Sequence, residues 1–464
     1  MSDSFVIVAL LTGDGLEIGF TDAGHVSLPR SNSDPRLLGF QEGITSVSVP
    51  ANVLSIDGSG VSGSANLSVS TDSFDLLGAV ASGVVSTGVN IEIRQLTDEE
   101  YFDHAVMLFK GSLSSAKIDE YTGSVDLSFD SSPQVVNVDF PSARIGDAGR
   151  FDRPPEGSFD RVLPVVYGLV RRYSIPAIDF STTASGGGTV DLCIAGHSVY
   201  GDINKPGFVR IGNSALGDMS PYYKILESAD NYGDSYSFIR IPFNLYDDGI
   251  YARDLSGKVN SDGSRMESLG DIITNIWFSY TNNSSKNFDS SRSSYASDRL
   301  NKFQCGFAFT EADDGQTLFD VLVGRIGNLP VSFGSPRGLF GWDSKVVPTE
   351  HSEVFGLLEF GVNIFERSEI NLVGYDKVQN RFRVSFDYDD ESEGNTQSLL
   401  IDENTSSLCR ESQARYGKSQ YIKLGVPDVV TPWSAGAYLS NEVNRRAFPR
   451  IQVSYFSDDI SFLS

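Results

Sequence analysis

The sequence predicts a β-rich α+β protein of several domains, and three observations carry that expectation. Through the first 130 residues, short runs of alternating apolar and polar side chains are divided by Gly, Asn, Asp and Ser turns, the period-2 signature of strands. An apolar period of about 3.6 residues shows at three places only, all after residue 265. At 464 residues the chain exceeds what a single hydrophobic core serves, so roughly two to four domains of ordinary size are expected.

The N-terminal MSDSFVIVALLTGDG has no basic flank and no small-residue cleavage site, so Phe5 to Leu11 reads as a strand and not an export signal. FVIVALL, VSVPANVLSI, ANLSVS, VNIEIRQL, AVMLFKGSL and SVDLSFD then supply the strands of a small barrel or sandwich. The clearest hairpin is HAVMLFKGSLSSAKIDEYTGSVDLSFD, turning at Asp119 to Gly123. Residues 131–160 hold Pro and Gly around little periodic signal and read as a linker. A second β module opens with FDRVLPVVYGLVRRYSIPAID. Pro164, Gly168 and Pro176 break any helix there, and Leu163 to Tyr167 makes the first strand. The module runs to about residue 250 and carries a Gly-rich insertion, TASGGGTVD.

In LGDIITNIWFSY the residues Leu269, Ile272, Ile273, Ile276 and Trp277 fall on one helical face. A second helix is expected in GQTLFDVLVGRIGN, with Leu318, Val321, Leu322 and Ile326 on one face and Thr317 as N-cap. Between them, NNSSKNFDSSRSSYASD has the composition of a solvated loop. Residues 330–400 return to strands, with INLVGYDKVQNRFRVSFDYDD a hairpin-like pair. The third helix, SAGAYLSNEVNRRAF, is bracketed by Pro432 and Pro449 and aligns Ala435, Leu439, Val443 and Ala447 on one ridge. One further strand, RIQVSYF, follows, and no repeat of fixed period is present.

Composition narrows the function. Forty per cent apolar and 11% aromatic residues mark a globular chain, and no run of 18 apolar residues would cross a bilayer. Cys193, Cys305 and Cys409 are odd in number and far apart, which fits buried thiols in a reducing compartment. With 36 basic against 61 acidic side chains, the net charge of -25 opposes adsorption to nucleic acid or anionic membrane.

No constellation stands out as catalytic. His25, His104, His197 and His351 are scattered, none at metal-ligand spacing from another ligand. There is no G-x-S-x-G elbow, P-loop or H-E-x-x-H. Gly58-Ser59-Gly60-Val61-Ser62-Gly63 matches the dinucleotide fingerprint by letter, but the strand-like ANLSVSTDSFD follows it where a helix N-terminus is needed, so it reads as a β-turn. The acidic run Asp387, Asp389, Asp390, Glu391 and Glu393 offers oxygen ligands to a hard cation, yet it lacks the glycine and terminal glutamate of a calcium loop and reads as a solvated hairpin end. The doublets Arg171-Arg172 and Arg445-Arg446 read as surface or interface charges, with a weak signal for phosphate. No catalytic, cofactor-binding or metal-ligating residue is assigned, and no cofactor or enzyme activity is expected.

Several segments, in order, resemble the hub proteins at the distal end of long-tailed bacteriophage tails. The hairpin AVMLFKGSLSSAKIDEYTGSVDLSFD is similar to the end of that family's N-terminal β-barrel. FPSARIG, RFDRPPEG and VLPVVYGLV resemble its proline-rich passage and following strand, with Pro164, Tyr167 and Gly168 at the matching places. DIITNIWFSYTNNSSKNFDSSRSSYA, DDGQTLFDVLVGRIGNLPVSFG, NRFRVSFDY, SSLCRESQARYG and SAGAYLSNEVNRRAFPRIQVSYF match later elements in sequence, over about two thirds of the chain.

The resemblance implies two β-barrel-like domains flanking a β insertion module and a small α/β region. The divisions are an N-terminal, tube-facing barrel over 1–135, a linker over 136–160, a β module over 161–260, an α/β domain over 261–350 and a second barrel with a helical insertion over 351–464. It implies a structural virion protein, a homotrimer that adapts the hexameric tail tube to a three-fold tip and lines a channel through which DNA passes without stable binding. Its partners would be distal tail or tail tube proteins and central tip or fibre proteins. It would lie at the virion tail tip, be assembled in the bacterial host cytoplasm, and carry no membrane segment. The second barrel would be completed by a neighbouring subunit or by further residues. Two alternatives stay open: a distal tail ring protein, and a carbohydrate-binding host-recognition module of the tail suggested by the Gly-rich, aromatic segment 161–250.

Overall fold

The structure is a computed structural model. It describes residues 6–13, 16–49, 61–62, 64–70, 80, 89–96, 100–119, 121, 123–131, 139–182, 188–213, 217–246, 249–280, 288–311, 318, 322–326, 329–335, 341–344, 346, 366–373, 378–389 and 394–456. The architecture is β-rich α+β, several sheets with a few helices, as the alternating runs predict.

The first 130 residues supply β1 (Val6–Gly13), β2 (Leu16–Thr21), β3 (Val26–Pro29), β4 (Leu37–Glu42), β5 (Ile44–Ser48), β6 (Val61–Ser62), β7 (Ser64–Ser70), β8 (Asn90–Leu96), β9 (Val106–Asp119) and β10 (Ser124–Asp130). All but β6 join one sheet in the order β3-β4-β2-β1-β8-β9-β10-β7-β5. The sheet curls back on itself. Gly43, between β4 and β5, donates its N–H to the Thr21 carbonyl and accepts from the Ser70 N–H, so the β2 and β7 flanks meet there. Alternation does the rest: Ala9, Leu11, Phe20, Leu67, Ile91, Ile93, Leu127 and Phe129 share one interior cluster, while Val8, Leu10, Leu38, Phe40 and Phe102 pack on the opposite face. Both faces of β1 are therefore buried, which is why FVIVALL is a continuous apolar run. The β9–β10 hairpin pairs Asp119 with Ser124 as its sequence predicts.

Residues 139–163 are irregular, as their Pro and Gly content predicts, with one short turn at Glu156–Ser158 and a bridge from Arg144 to Val162. They are nonetheless packed. Phe140 and Ile145 enter separate apolar cores, and the Arg150 guanidinium is buried.

The β module follows. β11 (Val165–Tyr167) and β12 (Leu169–Ser174) are separated only by Gly168. Then come β13 (Ala177–Thr182), β14 (Gly188–Ala195), β15 (Val199–Asp202), β16 (Lys205–Pro206), β17 (Phe208–Asn213), β18 (Gly217–Lys224), β19 (Leu226–Ala229), β20 (Ser235–Pro242) and β21 (Ile250–Lys258). Two sheets result. One runs β16-β15-β21-β17-β18 with β12 also on β21, the other β13-β14-β20-β19, and a shared core of Val166, Tyr173, Val190, Leu192, Ile211, Ile239 and Leu255 lies between them.

Helix α1 (Leu269–Tyr280) buries Leu269, Ile272, Ile273, Ile276 and Trp277, the residues its periodicity selects. α2 (Ser290–Leu300) is a correction, because it occupies part of the segment expected as a solvated loop. Ser293 and Ser297 face inward, whereas Ser290 and Ser294 are exposed: Trp342 donates its backbone N–H to Ser293 Oγ at 3.3 Å and its indole N–H to Ser297 Oγ at 3.0 Å. The next predicted helix is described as a π-turn over Leu322–Ile326, with Leu318, Leu322 and Ile326 fully buried; Thr317 and Val321 lie outside the described residues.

The remaining elements are β22 (Phe307–Phe309), β23 (Val331–Ser335), β24 (Gly341–Ser344), β25 (Glu366–Val373), β26 (Phe382–Asp389), β27 (Gly394–Ile401), α3 (Ser407–Tyr416), β28 (Ile422–Val426), α4 (Pro432–Arg446) and β29 (Arg450–Phe456). The expected pairing of β25 with β26 is not formed. β25 pairs antiparallel with β29, and β26 takes β27 as its antiparallel partner and β28 as a parallel one. Alternation identifies a strand but not its neighbour. A parallel partner needs a crossover, here made through α3, a helix the sequence reading did not assign. The described C-terminal strands thus form two sheets, β25-β29 and β27-β26-β28. α4 starts two residues earlier than its sequence pattern suggests, with Thr431 capping Ser434 N at 3.2 Å and Pro432 in the first turn, where a missing N–H costs nothing. One core gathers Phe140, Val165, Tyr167, α1, Phe307, Phe382, Val384, Cys409, Leu439 and Val443.

Candidate functional site

The strand that opens the β module is the pivot of the molecule. β11 pairs with β22, setting Val166 opposite Ala308. Its alternation splits it between two cores, with Val165 and Tyr167 packed among the helices and Val166 in the module. The strand then kinks at Gly168, whose φ is +57 and whose missing Cβ would lie 1.8 Å from the Cys305 carbonyl oxygen. Gly306, facing it, would place a Cβ 1.8 Å from the Leu169 carbonyl oxygen. Only glycine lets these two backbones touch. Gly168 N–H donates to the Met266 carbonyl at 2.8 Å and its carbonyl accepts from Gly257 N–H at 2.7 Å, so the entry and exit of the module are hydrogen-bonded together.

Polar groups lock the same junction. Tyr167 Oη donates to Asn275 Oδ1 of α1 at 2.9 Å, and burial pushes the phenol well above its ordinary range. The neighbouring Tyr280 phenol is pushed up to about 12 by burial. His197 is buried and holds β11 from the other side: the Val166 N–H donates to Nε2 at 2.9 Å, which places the proton on Nδ1, donated to the Ser198 carbonyl at 3.0 Å. Burial lowers its pKa to about 4, with Lys258 adding to the shift. A cleft of about 380 Å³ opens beside this cluster, lined among others by Pro141, Arg150, Leu163, His197, Asp234 and Tyr280. Arg150 is spoken for there, bonded to Asp147 at 3.2 Å, to Asp234 at 3.1 Å and to buried Asp230.

A chain of charges ties the module to the C-terminal sheet. Arg210 bonds Asp202 at 3.4 Å and also Asp254; Arg171 bonds Asp254 at 3.0 Å and Asp387 at 2.9 Å; Asp387 in turn accepts from Thr396 and Gln397, each at 2.9 Å. Elsewhere Arg325, in the Leu322–Ile326 turn, bonds Asp428 just after β28 at 2.9 Å, and the Asp428 carboxyl is raised by burial against the pull of that arginine.

The residues singled out in the sequence distribute as follows. Asp387, taken as part of a solvated hairpin end, is buried and carries the Arg171 contact, because β26 turns it toward β12; Asp390, Glu391 and Glu393 lie outside the described residues. Arg171 faces another part of the same chain, and Arg172 stacks 3.5 Å over the Tyr251 ring. Arg445 and Arg446 both pair with buried Glu442 one turn back on α4. His25 contacts Ser27, the His104 ring lies tilted against Tyr101, and His351 is outside the described residues. The three cysteines are free and buried. Val61 and Ser62 of the glycine-rich segment form β6, which pairs with β23, and β7 follows as a strand. Among the described residues no group of three His, Cys, Asp or Glu stands ready for a metal, and no helix is long and apolar enough to cross a membrane. Asp254, Lys258 and Gly306 escaped the sequence reading because nothing in their neighbours marks them; their roles come from strands far away in the chain.

No family model matches the chain, and no curated protein matches it. Among solved structures, a chain of the virion of a native gene transfer agent particle is similar at 13% identity over 54% of this chain and 79% of that one, with a TM-score of 0.19.

Proposed function

We propose that the chain is a structural virion protein, a hub at a tail tip that joins a tail tube to a narrower tip and surrounds the path of the DNA. The observation that carries the reading is the pivot at Val165–Gly168. The strand that resembles the family's signature is the one on which the module, the helices and the C-terminal sheet converge. An adaptor needs such couplings to transmit load between rings, and it needs no reacting group.

The side chains fit a mechanical role. Both nitrogens of His197 are committed to backbone groups and the three thiols are buried, so neither group is offered as a free base or nucleophile. The reading therefore includes no catalytic step. Residues 1–130 hold 18 acidic and 5 basic side chains, about half of the net charge of -25. A barrel wall of that sign repels a DNA backbone and lets it slide.

The test is the copy number and position of the chain in the assembled particle, by native mass spectrometry and electron microscopy. Three copies around a channel at the tail tip, with acidic or neutral side chains toward the lumen, are expected. A lumen lined by Arg and Lys, or a single copy, overturns the reading, and a ring of six assigns the distal tail ring instead.

A further inference from the structure

Part of the cleft beside the junction is a three-residue turn. Gly196, His197 and Ser198, between β14 and β15, line it together with Leu163 and Val165 of the segment that forms β11. Two hydrogen bonds set the turn on that segment: Gly196 donates its N–H to the Pro164 carbonyl at 2.8 Å, and the Val166 N–H donates to His197 Nε2 at 2.9 Å. The first does not titrate. The second needs a lone pair, which Nε2 has only while the ring is neutral, because Nδ1 gives its proton to the Ser198 carbonyl. The groups facing the ring offer a second proton no partner. Lys258 of β21 repels it, Tyr167 of β11 lies with its ring 6.2 Å away, Tyr280 of α1 is an uncharged phenol, and Asp234, the carboxylate of the cleft lining, is held by Arg150 at 3.1 Å.

We infer that His197 is an acid-released latch on this cleft: a proton on Nε2 breaks the Val166 bond and lets the β14–β15 turn lift from β11, so that the cleft opens while the rest of the chain stays folded. With both nitrogens protonated, Nε2–H meets the Val166 N–H, two donors with no acceptor between them, and a second cation stands beside Lys258. Lifting the turn brings the imidazolium to the water of the cleft. Ser237 Oγ of β20 donates to the His197 carbonyl at 2.8 Å, which keeps the turn on the module as it leaves β11. The cores on either side of β11 are held by apolar packing and do not need this bond. An imidazole in water titrates near 6.5 and the latched one near 4, so the closed form has its full advantage above pH 6.5 and loses it as pH falls. Between pH 7 and pH 4 that difference moves the opening equilibrium toward the open form by about a hundredfold. The inference is independent of the tail-hub reading, since it concerns only this junction.

The experiment follows hydrogen exchange of the full chain in heavy water between pH 7 and pH 4, amide by amide by mass spectrometry, with each rate corrected for the intrinsic effect of pH. The Val166 and Gly196 amides are expected to lose about a hundredfold in protection, while Ile273 and Ile276 of α1 keep theirs. His197→Gln, which retains an acceptor and does not titrate, should show no such loss at Val166. Lys258→Gln removes the facing cation and should move the loss of protection to higher pH. Constant protection of Val166 in the natural sequence, or the same loss in His197→Gln, overturns the inference. A fall at α1 as large as that at Val166 means that the whole chain unfolds and overturns it as well, as does a Lys258→Gln transition that stays in place or moves to lower pH.

Discussion

Arg171 Nε donates to Asp387 Oδ1 at 2.9 Å, joining β12 to β26 across 216 residues of chain. The same guanidinium reaches Asp254, and these two aspartates are the non-glycine residues of the described chain with positive φ, 49 and 59. Aspartate tolerates the left-handed region better than most residues, yet still at a cost of about 1 kcal/mol. The backbone is bent at both places to present a carboxylate to one arginine.

Arg171→Ala is expected to destabilise the protein by about 2 kcal/mol, because it leaves a buried carboxylate at Asp387 with only Thr396 and Gln397 to solvate it. The value is set below that of a fully buried pair because Arg171 is about one third exposed. Arg171→Lys should recover less than half, since an ammonium cannot fork between two carboxylates. Urea unfolding midpoints check this; an unchanged midpoint for Arg171→Ala would mean the contact adds nothing.

The glycine crossing predicts a contrast between two positive-φ positions. Gly168→Ala drives a Cβ into the Cys305 carbonyl and should cost more than about 4 kcal/mol, enough to abolish soluble expression. Gly149→Ala, at φ +81 with open space around it, should cost about 1 kcal/mol. Comparable yields and midpoints for the two variants contradict the crossing.

His197 makes stability depend on pH. The unfolded imidazole takes its proton near pH 6.5, whereas the folded one stays neutral down to about 4. Its contribution is therefore complete above pH 6.5 and lost as pH falls toward 4, to a total of about 3 kcal/mol. His197→Gln, which keeps an acceptor for Val166 N–H and does not titrate, should flatten unfolding free energy over that window. Parallel pH profiles for the two proteins sink the assignment.

Burial raises the thiols of Cys193, Cys305 and Cys409 above their ordinary range, which removes the reactive thiolate. A disulfide-exchange reagent should label none of the three at neutral pH in the folded protein and all three in denaturant. Rapid labelling of any one in the native state would place it at an opening the structure does not contain.

What the sequence determined by itself is local. The β9–β10 hairpin, the buried faces of α1 and α4 and the strand after the Gly58–Gly63 segment were legible because alternation, a 3.6-residue stripe and a turn are properties of neighbours in the chain. The tertiary structure alone decided the partners. A serine-rich segment became α2 because Ser293 and Ser297 meet the N–H groups of Trp342, some 45 to 49 residues away. Likewise β25 took β29 and not β26, and Asp387 went from an acidic hairpin end to a buried ion pair. Pairing and charge burial depend on which surfaces meet after collapse, and the polar pattern of a segment is the same whether its hydroxyls and carboxylates face water or a distant donor that satisfies them.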